Sequence, residues 1–182
     1  LMLGTIFNWI YCMDISVLLL ILATATVGFA WVYRRYHGSR WFKPVVGMLF
    51  VLFTAAILAV TLFRSGERTA LEPSLIPFES YRAVLNGGNV ERLRSNFMNV
   101  VLFYPAGLFA AVLLSGKWHP ILRVLLVTIL LAGMSLGIEY AQYTCVLGQP
   151  EVDDVIHNTL GALIGSVCGN MIGKSIPDTR TE

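Results

Sequence analysis

Five long stretches of this chain carry almost no formal charge, and they constrain its fold more than any other feature. The stretches cover residues 15–33, 44–63, 97–116, 124–146 and 155–173, and Glu139 is the one formal charge within them. About 18 or more apolar residues suffice for a helix to cross ~30 Å of hydrocarbon. Such a helix satisfies its own backbone groups in lipid, and these stretches do not alternate as barrel strands do. We therefore predict an all-α membrane protein.

The predicted architecture is a bundle of five transmembrane helices with a short extracytoplasmic loop subdomain. The spans are placed at 15–33, 44–63, 97–115, 121–143 and 155–173, within one domain over residues 1–182 and with the loop at 64–95. The first span is kept as part of the mature protein, because no Lys or Arg precedes it as a signal peptide would require.

Composition excludes several other classes of protein. The chain is 56% hydrophobic and 13% charged, whereas a soluble domain carries about 25% charged residues. Its net charge of +2 is too balanced to indicate a nucleic-acid binder. Three widely spaced cysteines give neither a metal-binding pattern nor a disulfide framework, and we expect no cofactor.

The basic residues between the spans predict the orientation of the bundle. The loop after the first span holds Arg34, Arg35, Arg40 and Lys43 without an acid, and Lys117 and Lys174 fall on the same side. The turn at 144–154 carries acids and no basic residue. We expect a multi-pass protein of the bacterial cell membrane, with the N-terminus outside and the C-terminus cytoplasmic. Five arginines within 64–95 strain this assignment, although four glutamates offset them.

A short list of polar residues lies inside or beside the predicted spans, near the outer surface. The candidate ligand-binding residues are Arg64, Asn96, Asn99, Glu139, Gln142, Asp153, Asp154 and Asn158. Glu139 and Gln142 are three residues apart on one helix face, and Asp154 and Asn158 are four apart on another. Ionisable groups within a bilayer usually face a bundle interior or a water-filled cavity. We predict an outward-opening polar pocket between the last three spans, roofed by the 64–95 loop.

A purely structural interpretation of these residues remains open. Glu139 would then pair with an arginine and lock the bundle, while Asn96 and Asp153 would cap the N-termini of their own helices. His157 would be no more than a hydrogen-bonded histidine.

Glycines recur at every fourth position along the last span, at Gly161, Gly165, Gly169 and Gly173. Small residues at this spacing allow close approach of another helix in lipid. We expect them to pack within the chain, against the third or fourth span, with Gly133 and Gly137 as a matching groove. A homodimer through Gly161, Gly165 and Gly169 is the alternative.

Several of these residues belong to motifs that resemble the VanZ-like family of bacterial membrane proteins. The motifs are Pro77 and Phe78, NFMN at 96–99, LFYPAG at 102–107, EYAQ at 139–142 and DDVIHNTLG at 153–161. The resemblance implies a cell-envelope role, since the family's founding member is linked to teicoplanin resistance. Family members often carry an arginine just before the aspartate pair, and this chain has none at 146–151.

Three functions follow as hypotheses. The first is an envelope protein whose outer pocket engages a lipophilic or lipid-linked ligand, such as a glycopeptide or wall precursor. The second is a membrane enzyme that uses Glu139 and Asp154 as catalytic acid and base on a lipid headgroup. The third is a small proton-coupled transporter or flippase. The expected partners are membrane lipids, and no metal site is predicted because the acid spacing is not diagnostic of one.

Overall fold

A computed structural model describes residues 14–62, 73–87, 90–147 and 149–174, and these residues form six helices. The helices are α1 (Ile15–Tyr36), α2 (Phe42–Leu62), α3 (Glu79–Leu85), α4 (Glu91–Leu113), α5 (Pro120–Thr144) and α6 (Val152–Lys174). All except α3 are long and apolar enough to cross a membrane. Within the described ranges the one β-type pairing is an isolated bridge between Ser74 and Glu151. The predicted all-α membrane bundle is confirmed.

All five spanning helices extend past the uncharged stretches that predicted them, as α4 and α1 illustrate. α4 begins at Glu91 rather than at residue 97, and α1 continues to Tyr36 rather than ending at residue 33. Glu91 lies in the first turn of α4, and Arg34 and Arg35 lie in the last turn of α1. The helix dipole favours an acid in the first turn of a helix and bases in the last turn. The charges at these boundaries therefore belong to the helices and not to the loops.

The closest helix pair is α4 and α6, which run in the same direction with the glycines of α6 against the backbone of α4. The contacts pair Gly161 with Val100, Gly165 with Tyr104 and Gly169 with Leu108. An added Cβ at any of the three glycines would collide with a backbone carbonyl oxygen. The predicted packing within the chain is confirmed, and a second copy would have to displace α4 to reach these glycines.

The groove predicted on α5 is wrong. Gly133 and Gly137 have no atom from elsewhere within 4 Å of the place where a Cβ would stand. Both residues are exposed, so their helix face points away from the bundle. Spacing alone does not distinguish a packed glycine from one that faces lipid.

The first two helices pack outside the α4–α6 pair. α2 inserts Val46 and Ile57, each at most 1% exposed, into the core. α1 contributes Tyr33 and places the Thr26 hydroxyl 2.8 Å from the hydroxyl of Tyr104 on α4. Many large apolar side chains of both helices remain exposed, as expected for surfaces that meet lipid tails.

The charges separate between the two ends of the bundle. Every described acid lies at the end formed by α3 and the N-termini of α4 and α6: Asp14, Glu79, Glu91, Glu139, Glu151, Asp153 and Asp154. We call it the mixed-charge end, since Arg82, Arg92 and Arg94 lie there too. The opposite end holds Arg34, Arg35, Arg40, Lys43, Lys117, Arg123 and Lys174, and we call it the basic end. Which end faces the cell exterior stays a prediction.

Candidate functional site

At the mixed-charge end, the segment 73–87 folds back over the start of α6. The backbone N–H of Ser74 donates to the carbonyl of Pro150 at 3.0 Å, and the N–H of Val152 donates to the carbonyl of Ser74 at 3.0 Å. These two hydrogen bonds join the segment to the linker between α5 and α6. The short helix α3 is thereby held against the N-terminal turn of α6.

The carboxylate of Asp153 anchors this segment to α6. It accepts hydrogen bonds from the backbone N–H of Phe78, from the N–H of Ser80 at 3.0 Å, and from the Ser80 hydroxyl. Asn96 on α4 also donates to the Ser80 hydroxyl oxygen, at 2.7 Å. Ser80, Asn96 and Asp153 are each at most 3% exposed, so this network joins three helices in a buried setting.

The prediction that Asn96 and Asp153 cap their own helices is therefore wrong. Asn96 lies well inside α4, which begins at Glu91, and Asp153 spends its oxygens on the first backbone amides of α3. A carboxylate suits that place because the N–H groups of a helix's first turn lack partners within the helix. Asp153 caps a helix about seventy residues away in the sequence, which local spacing does not reveal.

His157 adds a second link between α6 and α3. Its Nδ1 donates to the carbonyl oxygen of Asp153 one turn earlier, because a carbonyl can only accept. In the neutral ring, Nε2 then accepts from the Tyr81 hydroxyl, 2.8 Å away. The rings of Tyr81 and His157 also stack, with centroids 5.7 Å apart. The interpretation of His157 as a hydrogen-bonded histidine is confirmed.

Glu139 lies near the end of α5, beneath the α5–α6 linker. Its side chain is 8% exposed, and one carboxylate oxygen accepts from the backbone N–H of Glu151 at 3.0 Å. The carboxylate of Asp154 is close enough to interact with it electrostatically. The carboxylates of Glu139 and Asp154, which belong to adjacent helices, therefore lie at the same end of the bundle.

The pKa of the linker residue Glu151 indicates which cation influences this turn. Burial raises the pKa of the Glu151 carboxyl, and the positive charge of Arg92 acts in the opposite direction. Arg92 lies in the first turn of α4. Arg92 therefore acts electrostatically on the turn at 146–151, where the sequence has no arginine.

The amide side chains of the site differ in their hydrogen-bond partners. Gln142 donates to the backbone carbonyl of Thr61, 3.1 Å away, and so ties α5 to α2. Asn158 donates to the Ser135 hydroxyl of α5 at 2.9 Å, while its buried Oδ1 has no hydrogen-bond partner among the described residues. The buried Nδ2 of Asn99 also lacks one there. Buried polar atoms normally have partners, so these two mark unused binding capacity.

The remaining candidates complete the comparison with the sequence. Arg64 lies outside the described residues. The structure adds Ser80, Tyr81 and Ser135, which the sequence analysis did not single out. Across the part of the chain that is described, no three His, Cys, Asp or Glu side chains are placed to hold a metal ion.

Polar contacts continue along the α5–α6 interface toward the basic end. Beyond the pair of Ser135 and Asn158, the Thr128 and Ser166 hydroxyls lie 3.4 Å apart. Further still, the guanidinium of Arg123 donates to Asn170. The buried apolar side chains of Val127, Leu131 and Ala162 interrupt this line near its centre. The interface is therefore not a continuous polar path across the membrane.

Comparisons with known proteins identify one family. Residues 47–173 match the family described as VanZ/LLP1. The match begins within α2, ends in the last turn of α6 and includes every described candidate residue of the mixed-charge end. No curated protein sequence and no solved structure matches the chain.

Proposed function

Since the chain belongs to the VanZ/LLP1 family, we propose that it is a cell-envelope membrane protein that contributes to resistance against teicoplanin-type glycopeptides. In this proposal the mixed-charge end faces outward and engages a lipophilic or lipid-linked ligand. The candidate residues that contact the ligand are Glu139, Asp154, Asn158 and Asn99. Asp153 and Asn96 are positioning residues that hold the 73–87 segment in place.

One observation carries this proposal: buried polar atoms with unused hydrogen-bonding capacity lie at the same end as the buried carboxylate of Glu139 and the half-buried carboxylate of Asp154. Asn158 Oδ1 and Asn99 Nδ2 offer one acceptor and one donor, and the acids Glu139 and Asp154 interact nearby. A purely structural network satisfies its members, because a buried atom without a partner costs about 1–3 kcal/mol. A polar ligand group would satisfy them.

The covering segment supports a lipophilic ligand. Leu75 is 70% exposed and Leu85 is 85% exposed, and Ile76 and Phe78 are each 51% exposed. These apolar side chains lie at the mixed-charge end of the bundle, beside the ends of the spans. Teicoplanin carries an acyl chain, which would rest on this apolar face while polar groups reach the residues behind it.

The test is a susceptibility assay in a bacterial host that expresses the protein at matched membrane levels. Glu139→Gln, Asp154→Asn and Asn158→Ala are expected to lose protection against teicoplanin, whereas Glu91→Gln, an exposed acid at the same end, keeps it. The unchanged protein should protect less well against deacylated teicoplanin than against the acylated form. Wild-type protection by all three site variants would refute the proposal. Arg64→Ala extends the assay to the candidate that lies outside the described residues.

A second candidate function rests on the electrostatic contact between Glu139 and Asp154. Two carboxylates in different environments can divide the roles of acid and base, here on a lipid headgroup or lipid-linked wall precursor. Incubation of the purified protein with envelope lipids, with and without Mg²⁺, should then produce a mass change that Glu139→Gln abolishes. If the lipids remain unchanged, the enzyme proposal fails and ligand binding remains the proposed function.

A further inference from the structure

The basic end contains a buried arginine whose surroundings differ from those of a surface charge. Arg123 lies in the first turn of α5 and is 3% exposed. Its guanidinium donates to the side-chain oxygen of Asn170 on α6. Its Nε is buried without a hydrogen-bond partner among the residues described. Basic residues of this end flank the spans and predict the orientation of the bundle, whereas Arg123 is buried between helices.

No described carboxylate is available to neutralise this guanidinium. All described acids lie at the mixed-charge end, on the far side of the apolar band around Leu131. The ionisable group that acts on Arg123 is the phenol of Tyr33 on α1. A buried charge without a counter-charge is costly. We therefore expect an anion to complete the site.

Several polar groups converge where that anion would bind. At Gly173 of α6, an added Cβ would lie 3.9 Å from Nη1 of Arg123, 3.9 Å from the Tyr33 hydroxyl and 3.1 Å from Cβ of Ser115. The guanidinium of Arg123, the phenol of Tyr33 and the side chain of Ser115 therefore lie close to one point beside Gly173. These side chains carry a cation and two hydroxyl groups, which are kinds of donor that a phosphate oxygen accepts from.

The position of this cluster favours a phosphate carried by lipid. Arg123 is in the first turn of a membrane-spanning helix, and phospholipid phosphates lie at the same level of a bilayer. Six further basic residues lie at this end, and no described acid offsets them. Basic pockets between membrane helices attract anionic headgroups, and the planar guanidinium matches phosphate geometry.

We propose that Arg123, Tyr33 and Ser115 form a binding site for the phosphate of an anionic phospholipid between α1, α5 and α6. The site is distinct from the one proposed at the mixed-charge end. Its ligand would act as a bound structural lipid.

The experiment compares purified protein in detergent after addition of phosphatidylglycerol, phosphatidylcholine or inorganic phosphate. Lipid retention is measured by native mass spectrometry, and thermal midpoints are recorded in parallel. Phosphatidylglycerol should bind the wild type most tightly and raise its midpoint. Arg123→Gln should bind it about tenfold more weakly, the loss expected of one charge-assisted phosphate contact. Lys117→Gln, which removes an exposed basic residue at the same end, should bind as the wild type does.

A second variant keeps the proposal testable if Arg123→Gln fails to fold. In Asn170→Asp, a carboxylate oxygen takes the place of the amide oxygen that accepts from Arg123. The substitution should therefore supply the missing counter-charge from within the chain. The variant should be more stable than the wild type without lipid and should gain no stability from phosphatidylglycerol.

Three outcomes would overturn the proposal. Equal binding of phosphatidylglycerol by the wild type, Arg123→Gln and Asn170→Asp would exclude Arg123 as the phosphate ligand. Stabilisation by inorganic phosphate alone, lost in Arg123→Gln, would assign the site to free phosphate and overturn the lipid source. Destabilisation on neutralising Asp178 and Glu182, without any effect of lipid, would assign the counter-charge to the chain itself.

Discussion

At the mixed-charge end a buried carboxylate, Asp153, meets three hydrogen-bond donors from a neighbouring segment, whereas at the basic end a buried guanidinium, Arg123, meets one neutral acceptor. The first charge is satisfied within the chain, through a segment that folds over it. The second is left for something outside the described residues to satisfy. A buried charge therefore anchors a segment where the chain supplies the partners, and in the proposal above it binds a ligand where the described chain does not.

The largest effect is expected from a substitution in the α4–α6 contact that would disrupt both ends of the bundle. Gly165→Leu would drive a side chain into the backbone of Tyr104 and Leu108, and a backbone cannot move aside as a flexible side chain can. We expect a loss of about 3 kcal/mol or more, the upper range for overpacking, visible as a collapse of the monodisperse peak in size-exclusion chromatography. Gly133→Leu, on an exposed face with nothing within 4 Å, is the control. Equal behaviour of the two variants would contradict the packing described.

A smaller effect should be confined to the mixed-charge end. Asp153→Ala removes the acceptor for the half-buried donor of Phe78 and the buried donors of Ser80, and leaving them without partners costs about 3 kcal/mol. Trypsin should then cut after Arg82 in α3 much faster than in the wild type. Asp14→Ala, which removes an exposed carboxylate at the same end, should leave that cleavage unchanged. Stabilisation by phosphatidylglycerol should also survive in Asp153→Ala, because Arg123 is untouched, and its loss would show that the two ends are coupled.

Hydroxyl deletions along the α5–α6 interface sharpen the comparison further. Ser135→Ala removes the 2.9 Å hydrogen bond from Asn158 and leaves that buried amide with no acceptor, so we expect a loss of about 1 kcal/mol. Thr128→Val removes the longer 3.4 Å contact with Ser166, whose hydroxyl also donates to the carbonyl of Leu163. Its effect on the thermal midpoint should be smaller. A larger loss for Thr128→Val would reverse the ranking of these contacts.

The smallest effect concerns the titration of Glu151 in the α5–α6 linker. Because burial raises the pKa of this carboxyl in the folded protein, its ionisation opposes folding. Its contribution to stability is therefore lost as pH rises from the ordinary value of 4.5 through the higher folded pKa. Glu151→Gln should raise the midpoint at pH 7 by no more than about 2–4 °C, and the gain should vanish below pH ~4. A gain that persists in acid would point to packing and not to charge.

The sequence predicts much of this arrangement because some of its signals are local. Uncharged stretches identify the five spans, and three- or four-residue spacing places Asp154 with Asn158 on one helix face. Topology then brings Glu139 to the same end as Asp154. The glycine repeat of α6 predicts a close helix contact, although it does not identify α4 alone as the partner.

The rest depends on contacts between distant parts of the chain. Ser80 and Tyr81 lie in a seven-residue helix too short for a hydrophobic period, so nothing nearby indicates that they meet Asp153 and His157. A capping rule assigns Asp153 to its own helix, and the tertiary fold assigns it to α3. Arg123 resembles any other basic residue flanking a span until the position of Asn170 is known. Such pairings are set by how helices pack and not by the spacing within one helix.

The glycine contacts between α4 and α6 also limit how this protein can move. Gly161, Gly165 and Gly169 fit against α4 at regular intervals of one helical turn, so intermediate positions would press each glycine-flanking side chain into the neighbouring backbone. Sliding of α6 along α4 is therefore permitted only in whole steps of four residues, about 6 Å each. A shift of α6 that kept this packing would be a discrete step and not a gradual one.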